Sequence, residues 1–119
     1  MQDIVILYYN SKLLIGGKFV YYNYIEIQNI SFADCQMSGW MLDDSDNFSD
    51  WTFPSAIIPA GGFWYGQEDA STSGTYDASG NFVDTIQGSF GSGLSSGGDE
   101  IWLTDGTDTL MVTLGPSLS

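Results

Sequence analysis

The amino-acid sequence predicts an all-β fold, a sandwich of about seven to nine short, mainly antiparallel strands. Short runs rich in β-branched and aromatic residues recur at intervals of roughly 8 to 12 residues, as they do in sandwiches. Turn signals built from Gly, Pro, Asn and Asp separate these runs. The chain has 15 Gly and only 2 Lys and Arg together, and because helix formers are scarce we expect no long helix.

Length and composition indicate one folded domain. A chain of 119 residues fits a single domain over residues 1–119, long enough to bury one adequate core. Hydrophobic residues make up 43% and include 4 Trp, 7 Tyr and 7 Phe, which is too many large apolar side chains for a disordered chain.

The N-terminal part carries three strand signals. Residues 3–9 form a continuous apolar run, which is typical of a strand covered on both faces. The segments LLI and KFVYY flank Gly16-Gly17, and this pair allows the positive φ angles of a two-residue hairpin turn. Residues 24–30 alternate between apolar and polar side chains, the period of a half-buried strand.

Shorter strand signals continue to the end of the chain. The segment SGWML carries Trp40, a candidate for the space between two sheets. A small hairpin is predicted around residues 78–81, and Asp105-Gly106 predicts a second one between two alternating strands. The remaining strands are predicted in WTFP and in AIIPAGGFWYG, which bends at residues 59–62.

The order of these landmarks resembles the lamin tail domain, in the form found in exported bacterial proteins. The resemblance is carried by DIVILYYN at 3–10, YIEIQNIS at 24–31, MSGWMLDD at 37–44, WTFPSAIIPAGGFWYG at 51–66, FGSGLSSGGDEIWLTD at 90–105 and DGTDTLMV at 105–112. It implies an immunoglobulin-like sandwich and a role in binding or architecture without catalytic residues. Two segments depart from the family pattern: the apolar hairpin at 12–22 and an apparent insertion at 67–88.

The charge balance excludes several classes of function. Fifteen carboxylates face only Lys12 and Lys18, and the chain has no Arg or His, so its formal net charge is −13. Nucleic acid and anionic membrane surfaces require cations that the chain lacks. No apolar run is long enough for membrane insertion. Without His there is no Ser-His or Cys-His pair, so we predict that the chain is not an enzyme.

The acidic loop at residues 43–50 is a candidate cation-binding site. Calcium takes 6 to 8 oxygen ligands, and closely spaced carboxylates in a flexible loop supply several of them. The loop does not follow the EF-hand pattern, and the alternative is a solvated acidic loop without a metal. The candidate calcium ligands are Asp43, Asp44, Asp46 and Asp50. Under neither alternative does the domain require a cofactor.

Two groups of apolar residues are candidates for a binding surface. The hairpin at 12–22 has apolar side chains on both faces, and a small sandwich cannot bury both. Its alternative is a hairpin that folds back and completes the core. Trp64, Tyr65, Tyr76 and Trp102 either stack on sugar rings or pack in the protein. The candidate surface consists of Leu13, Leu14, Phe19, Tyr21, Tyr22, Trp64 and Tyr65.

These observations together predict a non-catalytic structural and adhesive module, secreted or at the cell surface. Its expected partner is a protein or a second copy, bound through the apolar edge hairpin. The alternative is a calcium-assisted carbohydrate-binding module that recognises a polysaccharide. The opening MQDIVILYY lacks the features of a signal peptide, so this location requires that a signal peptide was removed ahead of Met1.

Overall fold

A computed structural model describes residues 3–44, 48, 50–91 and 100–113, and for residues 8–13 and 20–22 it describes the backbone alone. The described residues form eleven strands and no helix. The strands are β1 (Ile4–Ile15), β2 (Lys18–Asn29), β3 (Cys35–Gln36), β4 (Met41–Asp43), β5 (Trp51–Thr52), β6 (Ile57–Ile58), β7 (Phe63–Gln67), β8 (Thr72–Tyr76), β9 (Phe82–Gln87), β10 (Glu100–Thr104) and β11 (Thr109–Thr113).

The strands form a sandwich of antiparallel sheets. The larger sheet has five strands in the order β1-β2-β7-β8-β9, and the smaller has four in the order β11-β10-β4-β5. A separate two-stranded ladder joins β3 and β6. The predicted all-β sandwich is confirmed, and the strand number exceeds seven to nine because ladders as short as two residues count as strands. The described residues contain no helix that is long and apolar enough to cross a membrane.

The first two strands form one long hairpin. β1 and β2 pair without interruption from Ile4↔Asn29 to Ile15↔Lys18. The turn is made by Gly16 and Gly17, with φ of 57° and 80°, as predicted. The sequence predicts a strand at 3–9, a hairpin of the segments LLI and KFVYY, and a strand at 24–30 as separate elements. The structure instead joins them into one ladder through the polar residues at 10–12 and 23, because backbone hydrogen bonds do not depend on apolar side chains.

Aromatic and aliphatic side chains from the two sheets and from the β3–β6 ladder meet in one core. Trp40 is 8% exposed, and Ile25, Ile27, Leu42, Ile58, Ile101 and Leu103 are fully buried. The expected core position of Trp40 is therefore confirmed. Among the described residues Trp64 has the largest fully buried side chain. Its indole stacks on Trp51 at 5.4 Å between ring centroids and meets Phe53 edge-on at 4.9 Å.

The segment at 67–88 is built into the larger sheet. It contains β8 and β9, which pair with each other, while β8 also pairs with β7. The predicted hairpin turn at 78–81 is present. Asp77 Oδ1 accepts hydrogen bonds of 2.9 Å from the N–H groups of Ser79 and Asn81, and Gly80 takes a φ of 84°. The segment that looks like an insertion thus widens the sheet by two strands.

Candidate functional site

The distal half of the long hairpin extends past the rest of its sheet. β2 pairs with β7 from Tyr24 to Gln28, and Asn23 O still accepts the N–H of Glu68 at 2.8 Å. Beyond Asn23, towards the turn, the described residues show pairing of β2 with β1 alone. We call residues 11–22 the hairpin arm.

The tip of the hairpin arm carries exposed apolar side chains. Leu14 is 65% exposed, Ile15 51% and Phe19 58%. The other predicted arm residues, Leu13, Tyr21 and Tyr22, lie outside the residues whose side chains are described. At its tip, at least, the arm does not fold back into the core.

Trp64 does not belong to a binding surface, contrary to the prediction. It is completely buried, and its Nε1–H donates a hydrogen bond of 2.9 Å to Ser73 Oγ. Neighbouring residues of a strand face opposite sides of the sheet, and in β7 the side chain of Trp64 faces the core. The next residue, Tyr65, is half-buried on the outer face.

A groove of about 370 Å³ lies on the outer face of β7, β8 and β9. Gly74 of β8 pairs with Tyr65 of β7 on one side and with Thr85 of β9 on the other. In the adjacent row Tyr76 pairs with Phe63 and Phe82. Because glycine has no side chain, the centre of this face is open. The groove is lined by Tyr65, Gln67, Ala70, Thr72, Ser73, Gly74, Tyr76, Phe82 and Thr85.

The groove carries no formal charge. Its lining includes no carboxylate and no lysine. Burial raises the pKa of the Tyr65 phenol, and the neighbouring Tyr24 and Tyr76 raise it further. The phenol is therefore protonated at neutral pH, and it can donate a hydrogen bond.

The predicted calcium ligands are only partly described. Asp43 is buried, and its Oδ1 accepts the N–H of Asp44 at 2.7 Å. Asp50 Oδ2 accepts the N–H of Gly91 at 2.9 Å. Asp46 lies outside the described residues. No group of three or more His, Cys, Asp or Glu that could hold a metal ion occurs within the described part of the chain, and calcium binding stays a prediction.

Asp50 lies in an unfavourable electrostatic environment. Burial raises its pKa, the hydrogen bond from Gly91 acts in the opposite direction, and the charges of Asp43 and Asp69 raise it again. Glu68 behaves in the same way: burial raises its pKa most, while its bond from Asn23 lowers it. The ionised form of each carboxyl is therefore less favourable in the folded protein than in the unfolded chain.

We expect Asp50→Asn to raise the melting temperature at pH 7 in the presence of a chelator, by about 1–2 °C. The amide oxygen still accepts from Gly91, and the charge is gone. Because the folded pKa is raised, the ionised carboxyl destabilises the fold fully above that pKa, and this destabilisation disappears as the pH falls. The variant should therefore match wild type at about pH 3. Thermal melts across this pH range measure the difference.

The control is Asp3→Asn, which removes the same charge from an exposed position. It should change the melting temperature less, and an equal gain would show that only net charge matters. Millimolar calcium added to wild type tests the metal in the same melts. Binding raises the melting temperature at pH 7, and Asp50→Asn should lose that rise. An unmoved wild-type midpoint contradicts the calcium prediction.

One protein family matches nearly the whole chain. The sequence profile of the Lamin Tail Domain matches residues 2–117. No curated protein and no solved structure shows significant similarity to the chain. The matched range includes all strands of the described sandwich, whose antiparallel sheets agree with the immunoglobulin-like fold of that family. The chain therefore belongs to the lamin tail domain family.

Proposed function

We propose that this domain is a structural and adhesive module that associates with a second copy of itself through the hairpin arm. Membership in the lamin tail domain family supports a non-catalytic protein-interaction role. The observation that carries the proposal is that β1 and β2 extend past the other strands of their sheet. Leu14, Ile15 and Phe19 are exposed at the tip of this extension.

The backbone of the hairpin arm is suited to strand addition. β1 is an edge strand of the larger sheet. Unpaired N–H and C=O groups along a sheet edge can accept a strand or loop from another chain. Burial of the exposed apolar tip would add hydrophobic stabilisation to such a contact.

The distribution of charge favours contact between the arm of one copy and the body of another. Lys12 and Lys18, the two cationic residues of the chain, both lie in the arm, which has no carboxylate. The arm therefore has a formal charge of +2 and the remaining residues −15, which together give −13. Two arms repel each other, whereas an arm and an acidic body attract. Such a head-to-tail contact repeats from copy to copy and suits a structural role.

We place the module outside the cell or on its surface, and we assign it no catalytic activity. The motif set resembles that of exported bacterial members of the family, which supports the location. The absence of histidine from the sequence and the non-enzymatic character of the family support the lack of catalysis.

The double variant Leu14→Ser, Phe19→Ser should weaken self-association by at least about tenfold, the equivalent of about 1.4 kcal/mol. Sedimentation velocity over a range of protein concentrations measures the association constant. Because the contact is partly electrostatic, wild-type association should also weaken when the salt concentration rises from 0.05 to about 0.5 M.

The matched control is Phe32→Ser, which removes a fully exposed aromatic residue beyond the opposite end of β2. It should leave the association unchanged. A wild-type protein that stays monomeric at about millimolar concentration, where even an interaction of about 4 kcal/mol is detectable, would contradict the proposal. Equal weakening by both variants would place the contact elsewhere.

A further inference from the structure

The groove exists because a glycine occupies the centre of an aromatic sheet face. A Cβ atom on Gly74 would lie 3.4 Å from Tyr76 Cε1 and 3.5 Å from Phe82 Cε2. The edges of these two rings therefore stand directly beside the open position. Tyr65, the cross-strand partner of Gly74 on β7, places a third ring beside the open position.

The rings of Tyr65, Tyr76 and Phe82, which we call the aromatic wall, are held in place by contacts with other aromatic rings. The ring of Tyr76 stacks on Phe63 with centroids 5.0 Å apart and planes inclined by 17°. Phe82 meets Tyr76 edge-on at 5.8 Å, and Tyr24 supports Tyr65 at 5.4 Å. Rings that are already ordered lose little conformational entropy when a ligand binds.

The groove is also lined by polar, uncharged side chains. Thr85 follows Gly74 across the sheet, and Gln67 and Thr72 lie on the outer face one alternation further along β7 and β8. All three line the groove. A ligand that enters the groove therefore meets both aromatic rings and the amide and two hydroxyl groups of these side chains.

The surrounding charge restricts the ligand further. Phosphate, sulfate and uronate groups are repelled by a chain of net charge −13 whose two lysines both lie in the hairpin arm. The groove offers no carboxylate to hold a cation. The charge therefore favours a neutral ligand.

We propose that the groove binds a neutral saccharide. The rings of Tyr65, Tyr76 and Phe82 pack against the C–H face of a pyranose, and the side chains of Gln67, Thr72 and Thr85 hydrogen-bond its hydroxyl groups. A proline-rich peptide also packs on aromatic rings, but its backbone offers mainly carbonyl acceptors. Saccharide hydroxyl groups both donate and accept, so a saccharide can pair with more of the donors and acceptors of Gln67, Thr72 and Thr85 than the peptide can. This site is independent of the hairpin arm.

Isothermal titration calorimetry against defined probes tests the proposal. The neutral probes are hexasaccharides of the cello-, xylo-, manno-, malto- and laminari- series. An alginate oligosaccharide serves as the anionic probe, and a polyproline peptide represents the competing ligand class. Near-ultraviolet circular dichroism of each variant shows whether the fold is retained.

Two variants act on the groove by different routes. Tyr76→Ala removes the central ring and should weaken binding of a neutral hexasaccharide by about tenfold. Gly74→Ala places a methyl group between the rings, and since its nearest contacts are ordinary van der Waals distances, it should bind several-fold more weakly while its melting temperature is kept or raised. Phe32→Ala, an exposed aromatic on the loop after β2, should bind as wild type.

The outcomes separate clearly. Binding of a neutral hexasaccharide that both groove variants weaken, with alginate and peptide inactive, supports the proposal. Failure of all neutral probes overturns it, as does preferential binding of the polyproline peptide. Saccharide binding that Tyr76→Ala and Gly74→Ala leave intact would place the sugar site elsewhere and would also overturn it.

Discussion

Replacement of Trp64 by alanine should lower the free energy of unfolding by about 3–5 kcal/mol. Trp64 is the largest fully buried side chain of the described residues, and it joins the two sheets through Trp51 and Phe53. Alanine leaves a cavity at this junction, and Ser73 Oγ loses the indole N–H. Because small domains are stable by only about 5–15 kcal/mol, urea denaturation should show a much lower midpoint.

A double-mutant cycle with Gly66 tests whether the Trp64 indole needs the space that the missing side chain of Gly66 leaves. A Cβ on Gly66 would lie 2.4 Å from two ring atoms of Trp64, so Gly66→Ala forces the ring to move. The penalty of Gly66→Ala should shrink in a Trp64→Phe background, because the smaller ring does not reach that position. Additive effects of the two substitutions would contradict the direct contact.

Asn29→Ala should cost about 3 kcal/mol, the second large effect on stability. Asn29 is completely buried at the end of β2. Its Nδ2 donates to three backbone carbonyl oxygens, those of Ala33 at 2.8 Å, Ile58 at 3.1 Å and Pro59 at 3.2 Å. Its Oδ1 accepts the N–H of Ser31 at 3.0 Å. Alanine leaves these groups without their partner, and urea denaturation measures the loss.

Two further variants identify the reason for that loss. Ser31→Ala removes a partner of Asn29 Oδ1 but leaves the bonds from Nδ2 in place, so it should cost about 1 kcal/mol. Asn29→Asp keeps the shape and sets a carboxylate against carbonyl oxygens, so at pH 7 it should be as harmful as alanine. It should recover in part at low pH, where the protonated acid donates again. A loss below about 1 kcal/mol for Asn29→Ala would show that water replaces the amide.

Several features of the fold follow from local sequence. The glycine pair at 16–17 and the turn at 105–106 specify hairpins, because few residues other than glycine adopt a positive φ cheaply. The alternation at 24–30 places Ile25 and Ile27 in the core. Period-two alternation is a local property of a strand, so a short segment reveals it.

The orientation of an uninterrupted apolar strand could not be predicted in the same way. The segment FWYG has large side chains at three consecutive positions, so alternation does not show which of them face the core. The structure places Trp64 inside and Phe63 and Tyr65 on the outer face. The choice depends on Gly66, which faces inward on the same strand and leaves room for the indole.

The groove on the outer face of β7, β8 and β9 depends on pairing between distant strands. Tyr65, Gly74 and Thr85 form one row only because β7, β8 and β9 pair in a particular register. In the sequence the one signal is glycine within TSGTY, where an open position on a sheet face and a weakened strand look the same. The sequence shows that Tyr65 and Tyr76 are aromatic, but it does not show that both line one groove.

By itself the sequence determined the sandwich class, the family, the acidic charge and the confinement of both lysines to one hairpin, because these depend on composition and local alternation. The tertiary structure decided that this hairpin extends beyond its sheet, that Trp64 lies in the core, and that a glycine opens a groove between aromatic rings and polar side chains. These features depend on strand register and on packing between sheets, which join residues far apart in the chain.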